Sequence, residues 1–151
     1  MIGSFCVFRS KHLLIIPPTF LVSIGIACSV VAQSKLYNPI ALPPTNEITD
    51  KLTENDIPTG LGGFARDYLV KLNKGDNVAI DLTSDSFDAM VTLLSTDGTT
   101  ISENDDGPDG TTNSLLFTRI NTTGTYVVRV RAFGETGIGN FKLKVTRLRP
   151  S

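Results

Sequence analysis

Ala89-Met90-Val91-Thr92-Leu93-Leu94, Ser114-Leu115-Leu116-Phe117 and Gly124-Thr125-Tyr126-Val127-Val128-Arg129-Val130 are the runs on which the fold turns. Each is short, rich in β-branched and aromatic residues, and bounded by Gly, Asn or Asp. Thr96-Asp97-Gly98 closes the first, and Glu103-Asn104-Asp105-Asp106-Gly107-Pro108-Asp109-Gly110 separates it from the second. Asn121-Thr122-Thr123-Gly124 turns the second into the third. Runs of this kind between turn clusters are strands of an all-β domain.

The same signal extends outward. Tyr68, Val70 and Leu72 alternate with Leu69, Lys71 and Asn73; Val78, Ile80 and Leu82 alternate with Ala79, Asp81 and Thr83. Lys74-Gly75-Asp76 is a turn between them. Tyr126, Val128 and Val130, then Phe141, Leu143 and Val145, are expected to point inward, because alternate residues of a strand share a face. Glu47–Leu52 is expected to be a first strand and Thr99–Ser102 a short one. No run has a helical period. Strands every 8–12 residues predict an antiparallel β-sandwich.

Upstream the character changes. Arg9 and Lys11 precede an apolar run from Leu13 to Ala32 that ends in small residues, the pattern of a cleavable signal peptide spanning 1–32. Pro17-Pro18 would interrupt a membrane-spanning helix, so no span is expected to remain after cleavage. A lipid anchor on Cys28 is the alternative. Residues 33–46, with Pro39, Pro43 and Pro44, read as an extended arm, and 47–151 as the sandwich. The expected location is secreted or periplasmic.

Loss of the leader removes Cys6, Cys28 and His12, the chain's two cysteines and one histidine. It also removes Arg9 and Lys11, leaving 12 of 14 basic residues against all 15 acids, a net charge of −3. Without Cys or His, nucleophilic triads and the common zinc sites are excluded. The weakly acidic balance argues against a nucleic-acid partner. The exported domain must also be stable without disulfides.

Two groups of residues are candidates for chemistry. Asn104, Asp105, Asp106 and Asp109 in the acidic loop, with Asp88 nearby, offer the oxygen ligands that Ca2+ takes. The same residues also read as an Asx-rich turn bonding its own backbone. The second group comes from an expected final hairpin. Setting Val130 opposite Leu143 also sets Arg131 opposite Lys142 and Arg129 opposite Lys144. Like charges opposed on a sheet repel. Arg129, Arg131, Lys142 and Lys144 would then form a basic ladder for an anionic glycan or protein, or simply a solvated face. Asp105 and Asp106 are adjacent, a poor geometry for paired acid–base catalysis.

Arg66-Asp67-Tyr68, Lys74-Gly75-Asp76, Phe87-Asp88, Asp97-Gly98, Asn104-Asp105-Asp106, Ser114, Gly124-Thr125-Tyr126 and Gly139-Asn140-Phe141-Lys142-Leu143 occur in that order. Together they resemble the bacterial pre-peptidase C-terminal domain family, over about Glu47 to Val145. The resemblance implies a jelly-roll-like β-sandwich that is not itself catalytic and is here free-standing and exported. Collagen-binding domains of clostridial collagenases are similar modules. Of their calcium positions Asp67 is matched, while the arm from Gln33 to Asn46 has no acid and Phe64 replaces another. The expected function is therefore a non-catalytic binding or accessory module acting on an envelope protein or glycan. The alternatives are a calcium-stabilised structural module without a specific ligand and a small carboxylate-dependent hydrolase.

Overall fold

The computed structural model describes residues 37–148 except Asp109 and Glu135. The expected leader lies outside these residues. Among the described residues ten strands follow one another: β1 (Ile40–Ala41), β2 (Glu47–Leu52), β3 (Ile57–Pro58), β4 (Phe64–Leu72), β5 (Asn77–Thr83), β6 (Ala89–Ser95), β7 (Thr100–Asn104), β8 (Ser114–Arg119), β9 (Gly124–Ala132) and β10 (Gly139–Leu148). Among the described residues no helix is long and apolar enough to cross a membrane.

The strands make two sheets. The larger runs β1-β4-β9-β6-β7, with β3 also on β4; the smaller runs β2-β10-β5-β8. Their logic is a single long hairpin whose tip is the Ser95–Thr99 turn, closed by Ser95 N–H to Thr99 O at 2.9 Å. Moving outward from that tip, β6 pairs with β7, β5 with β8, β4 with β9 and β2 with β10, all antiparallel. Successive pairs fall alternately into the larger and smaller sheets. This winding makes an eight-stranded jelly roll, the arrangement that the family resemblance implies.

Alternation puts the core between the sheets. Tyr68, Val70 and Leu72 of β4 face Val78, Ile80 and Leu82 of β5 and Phe141, Leu143 and Val145 of β10, all buried. Phe141 packs edge-to-face on Tyr68 at 6.2 Å and on Phe87 at 6.3 Å between ring centres. β6 is buried on both faces up to Leu94, which is why its sequence is a continuous apolar run rather than an alternation.

The expected final hairpin does not form. β9 pairs with β4 and β6 in the larger sheet, and β10 with β2 and β5 in the smaller. The segment 133–138 carries the chain across from one sheet to the other. It passes so close to Phe87 that a Cβ on Gly137 would stand 2.4 Å from the Phe87 Cβ. Separation of the two strands removes the charge conflict. Arg129 now lies opposite Asp67, and Lys144 lies opposite both Glu47 and Asp81. Every base that would have met a base meets an acid or a neutral residue instead.

The described part of the arm begins at Tyr37, and its Ile40 and Ala41 dock as β1, parallel to Tyr68 and Leu69 of β4. Leu42 N–H continues the contact to Leu69 O at 2.9 Å. The chain then turns through Pro43 and Pro44 into β2 of the other sheet.

Candidate functional site

The acidic loop is organised by Asn104. Its Nδ2 donates to the carbonyl oxygens of Asp106 at 2.6 Å and Leu115 at 3.0 Å. Ser114 Oγ donates to Asn104 O at 2.7 Å, and Leu115 N–H to Asp106 O at 3.0 Å. These bonds stitch β7 at the edge of one sheet to β8 at the edge of the other. Asp105 is half-buried beside this seam, and Asp106 and Asp88 are exposed. Asp109 lies outside the described residues. Among the described residues no group of three acidic, His or Cys side chains is close enough to hold a metal ion.

The four basic residues are not one patch. Lys142 and Lys144 are on the outer face of the smaller sheet, where Lys142 Nζ meets Glu47 Oε1 at 2.6 Å. Arg129 and Arg131 are on the outer face of the larger sheet. Arg129 is committed: Nε and Nη2 donate to the two oxygens of Asp67, each at 2.8 Å. Asp67 is 2% exposed, so this fork is the means by which a carboxylate is kept beneath the surface. Tyr37 lies against the pair, and its hydroxyl pKa is raised, first by burial and then by the Asp67 charge. Arg131 forms no ion pair among the described residues.

A polar bridge ties the sheets at the same end of the sandwich. Arg66 Nε reaches Asp50 Oδ2 at 2.9 Å and its Nη1 reaches Asp56 Oδ1 at 2.5 Å; Tyr68 OH donates to Asp50 Oδ2 at 2.8 Å. Burial pushes the Asp50 carboxyl up, but the Tyr68 hydroxyl, the Lys51 N–H and the Arg66 guanidinium outweigh it and hold the pKa below its ordinary value. Burial, reinforced by the Asp50 carboxylate, raises that of Tyr68.

Beside Arg131 the larger sheet carries a groove of about 310 Å³. Thr92 and Leu94 floor it, and the segment from Ile57 to Leu61 walls one side. Glu103 of β7 and Arg131 of β9 are its uncommitted charges. The wall is braced by Thr59, whose N–H and Oγ donate to Gly63 O at 2.9 and 3.2 Å. That bracing holds Leu61 out at 72% exposure. Leu61 and the Arg131 guanidinium thus line the same groove. Glu103 is its sole carboxylate, so paired-acid chemistry is not assembled there. Leu61 was not among the sequence candidates; its one signal is a large apolar residue set among Gly60, Gly62 and Gly63.

Residues 65–132 match the family described as the bacterial pre-peptidase C-terminal domain. Among solved structures, the pre-peptidase C-terminal domain of a collagenase from Bacillus anthracis is similar in fold. It has 13% identity and a TM-score of 0.53, over 72% of this chain and 93% of that one. The periplasmic inhibitor of g-type lysozyme, PliG, from Aeromonas hydrophila aligns at 10% identity and a TM-score of 0.49, over 72% of this chain and 96% of that one. No curated protein matches the sequence.

Proposed function

Since this chain belongs to the bacterial pre-peptidase C-terminal domain family, we propose that it is an exported, non-catalytic binding module that engages a protein or glycan of the cell envelope. The observation that carries this reading is the groove at Arg131, with Leu61 presented at its wall and no assembled acid–base pair. Leu61 supplies an apolar anchor, and Arg131 favours an anionic group on the partner. Arg129 supports the surface from below by holding Asp67.

Capture from an envelope extract, run beside a glycan array, tests the proposal with the wild-type chain and the Leu61→Ala and Arg131→Glu variants. A partner retained by the wild type and lost by both variants supports it. A partner retained equally by all three places recognition elsewhere, and turnover of a glycan or ester by the wild type overturns the non-catalytic reading.

A further inference from the structure

At the opposite end of the same sheet face, the docked arm closes over β4 and leaves a cavity of about 350 Å³. Lys71 is six residues along β4 from Ala65, the neighbour of Arg131, so this cavity lies roughly 20 Å from the groove. Leu42, Pro43, Pro44 and Leu69 give it apolar walls. Its charged lining consists of Lys71 and Arg147, and no carboxylate lines it. The groove at Arg131, by contrast, includes Glu103.

The walls are preformed. Leu42 N–H is bonded to Leu69 O, Asn46 N–H to Pro43 O, and Val145 N–H to Asn46 O, at 2.9, 2.8 and 2.8 Å. Asn46 lines the cavity with φ of 54°, the one non-glycine residue with positive φ among the described residues. Backbone held in that region is retained where its surroundings demand it, and here it turns the arm over the cavity. A cavity already braced costs little ordering when a ligand enters.

The two cations differ. Arg147 is occupied: its Nη2 donates to Lys71 O and its Nε stands 3.4 Å from Asp76 Oδ2. Lys71 is exposed and forms no ion pair among the described residues, and Thr125 lies directly across from it on β9. Leu69 and Lys71 share one face of β4, so an aliphatic chain lying on Leu69 would carry its head toward the Lys71 ammonium.

We propose that this cavity binds a medium-chain aliphatic carboxylate, its chain against Leu42, Pro43 and Leu69 and its head group on Lys71. The cavity is at the small end of the roughly 300–1,000 Å³ usual for ligand sites, which suits one short chain and not a two-chain lipid. Anionic selectivity follows from a lining with cations and no acid.

The test is isothermal titration of the protein with hexanoate, octanoate and 1-octanol, each below the concentration at which it self-associates. Octanoate binds one to one, tighter than hexanoate by about four-fold per methylene and tighter than 1-octanol. Lys71→Glu weakens octanoate about ten-fold, the effect of roughly 1.4 kcal/mol, and leaves 1-octanol unchanged. Ala41→Trp, at an exposed position lining the cavity, abolishes both while the melting temperature holds. Absence of saturable octanoate binding overturns the proposal. So does equal binding of octanoate and 1-octanol, or a Lys71→Glu variant that binds octanoate as the wild type does.

Discussion

Arg129 grips Asp67 with two parallel bonds of 2.8 Å across β9 and β4, and the carboxylate it grips is almost wholly buried. Removal of the guanidinium would leave a charge beneath the sheet face with no partner. Breaking a buried pair costs about 3–5 kcal/mol, and because the Arg129 side chain is a third exposed the expected loss for Arg129→Ala is nearer about 2 kcal/mol. Replacing both residues by Leu recovers part of it. Urea denaturation measures this; a loss below about 0.5 kcal/mol for Arg129→Ala would contradict the assignment.

The Asn104 amide separates the two readings of the acidic loop. Asn104→Ala removes the amide that ties the Asp106 and Leu115 carbonyls together and leaves Asp106 O only the Leu115 N–H, at an expected cost of about 1–3 kcal/mol for the two lost bonds. Asp106→Ala, at an exposed side chain, is expected to stay within about 0.5 kcal/mol of wild type. The candidate calcium site is read in the same melting experiment. A rise with millimolar calcium beyond that with magnesium, removed by Asp106→Ala, would establish the ion. An equal response to the two cations would reject it.

Acid should loosen the bridge between the sheets. The folded Asp50 carboxyl titrates below its ordinary value of 3.8, so the unfolded chain takes up the proton first as pH falls. The stabilisation is therefore complete above that value and is lost as pH drops through the folded pKa. Wild type is expected to lose melting temperature between pH 5 and pH 2 more steeply than Asp50→Asn. Parallel curves for the two proteins would contradict this.

Gly137 is required by contact. An added Cβ would stand 2.4 Å from Phe87 Cβ and 2.9 Å from Ala132 Cβ. Gly137→Ala is expected to destabilise by about 1–3 kcal/mol, as overpacking does. Gly124→Ala, where an added Cβ meets nothing within 4 Å, is the control and is expected to be neutral or slightly stabilising. Equal melting temperatures for the two variants would show that the crossover yields without cost.

Much of this architecture was legible in the chain because alternation reports which face a residue takes. Glu47–Leu52 is a strand with the expected bounds, and the inward residues of β4, β5, β9 and β10 are those the period indicates. Alternation says nothing about which strand lies alongside, so β9 and β10 were expected to be partners and are not. The jelly roll itself carries the correction: winding one hairpin over two sheets sends its consecutive outer strands to opposite sides. β1 is two residues long and has no period to detect.

The candidate sites were harder to read for a related reason. Asn104 has the same amide whether it binds an ion or ties two strand edges together, and its partner carbonyl on Leu115 belongs to another sheet. Asp67 meets Arg129 only through the fold, across 62 positions of sequence. No local pattern carries that pairing, nor the closure of the arm over Leu69.

The nested order of strand pairs has a consequence for how the chain comes to be folded. The tip hairpin of β6 and β7 can close as soon as it is made, but Glu47 of β2 must wait for Lys144. β10 stands between β2 and β5, so until it arrives both present an open edge. Contacts so distant along the chain form slowly, and unpaired edges invite pairing with other molecules in the interval. A chain cut short before Gly139 would hold this vulnerable state permanently: synthesis of β10 decides whether β2 is joined to β5 and β8 in one sheet.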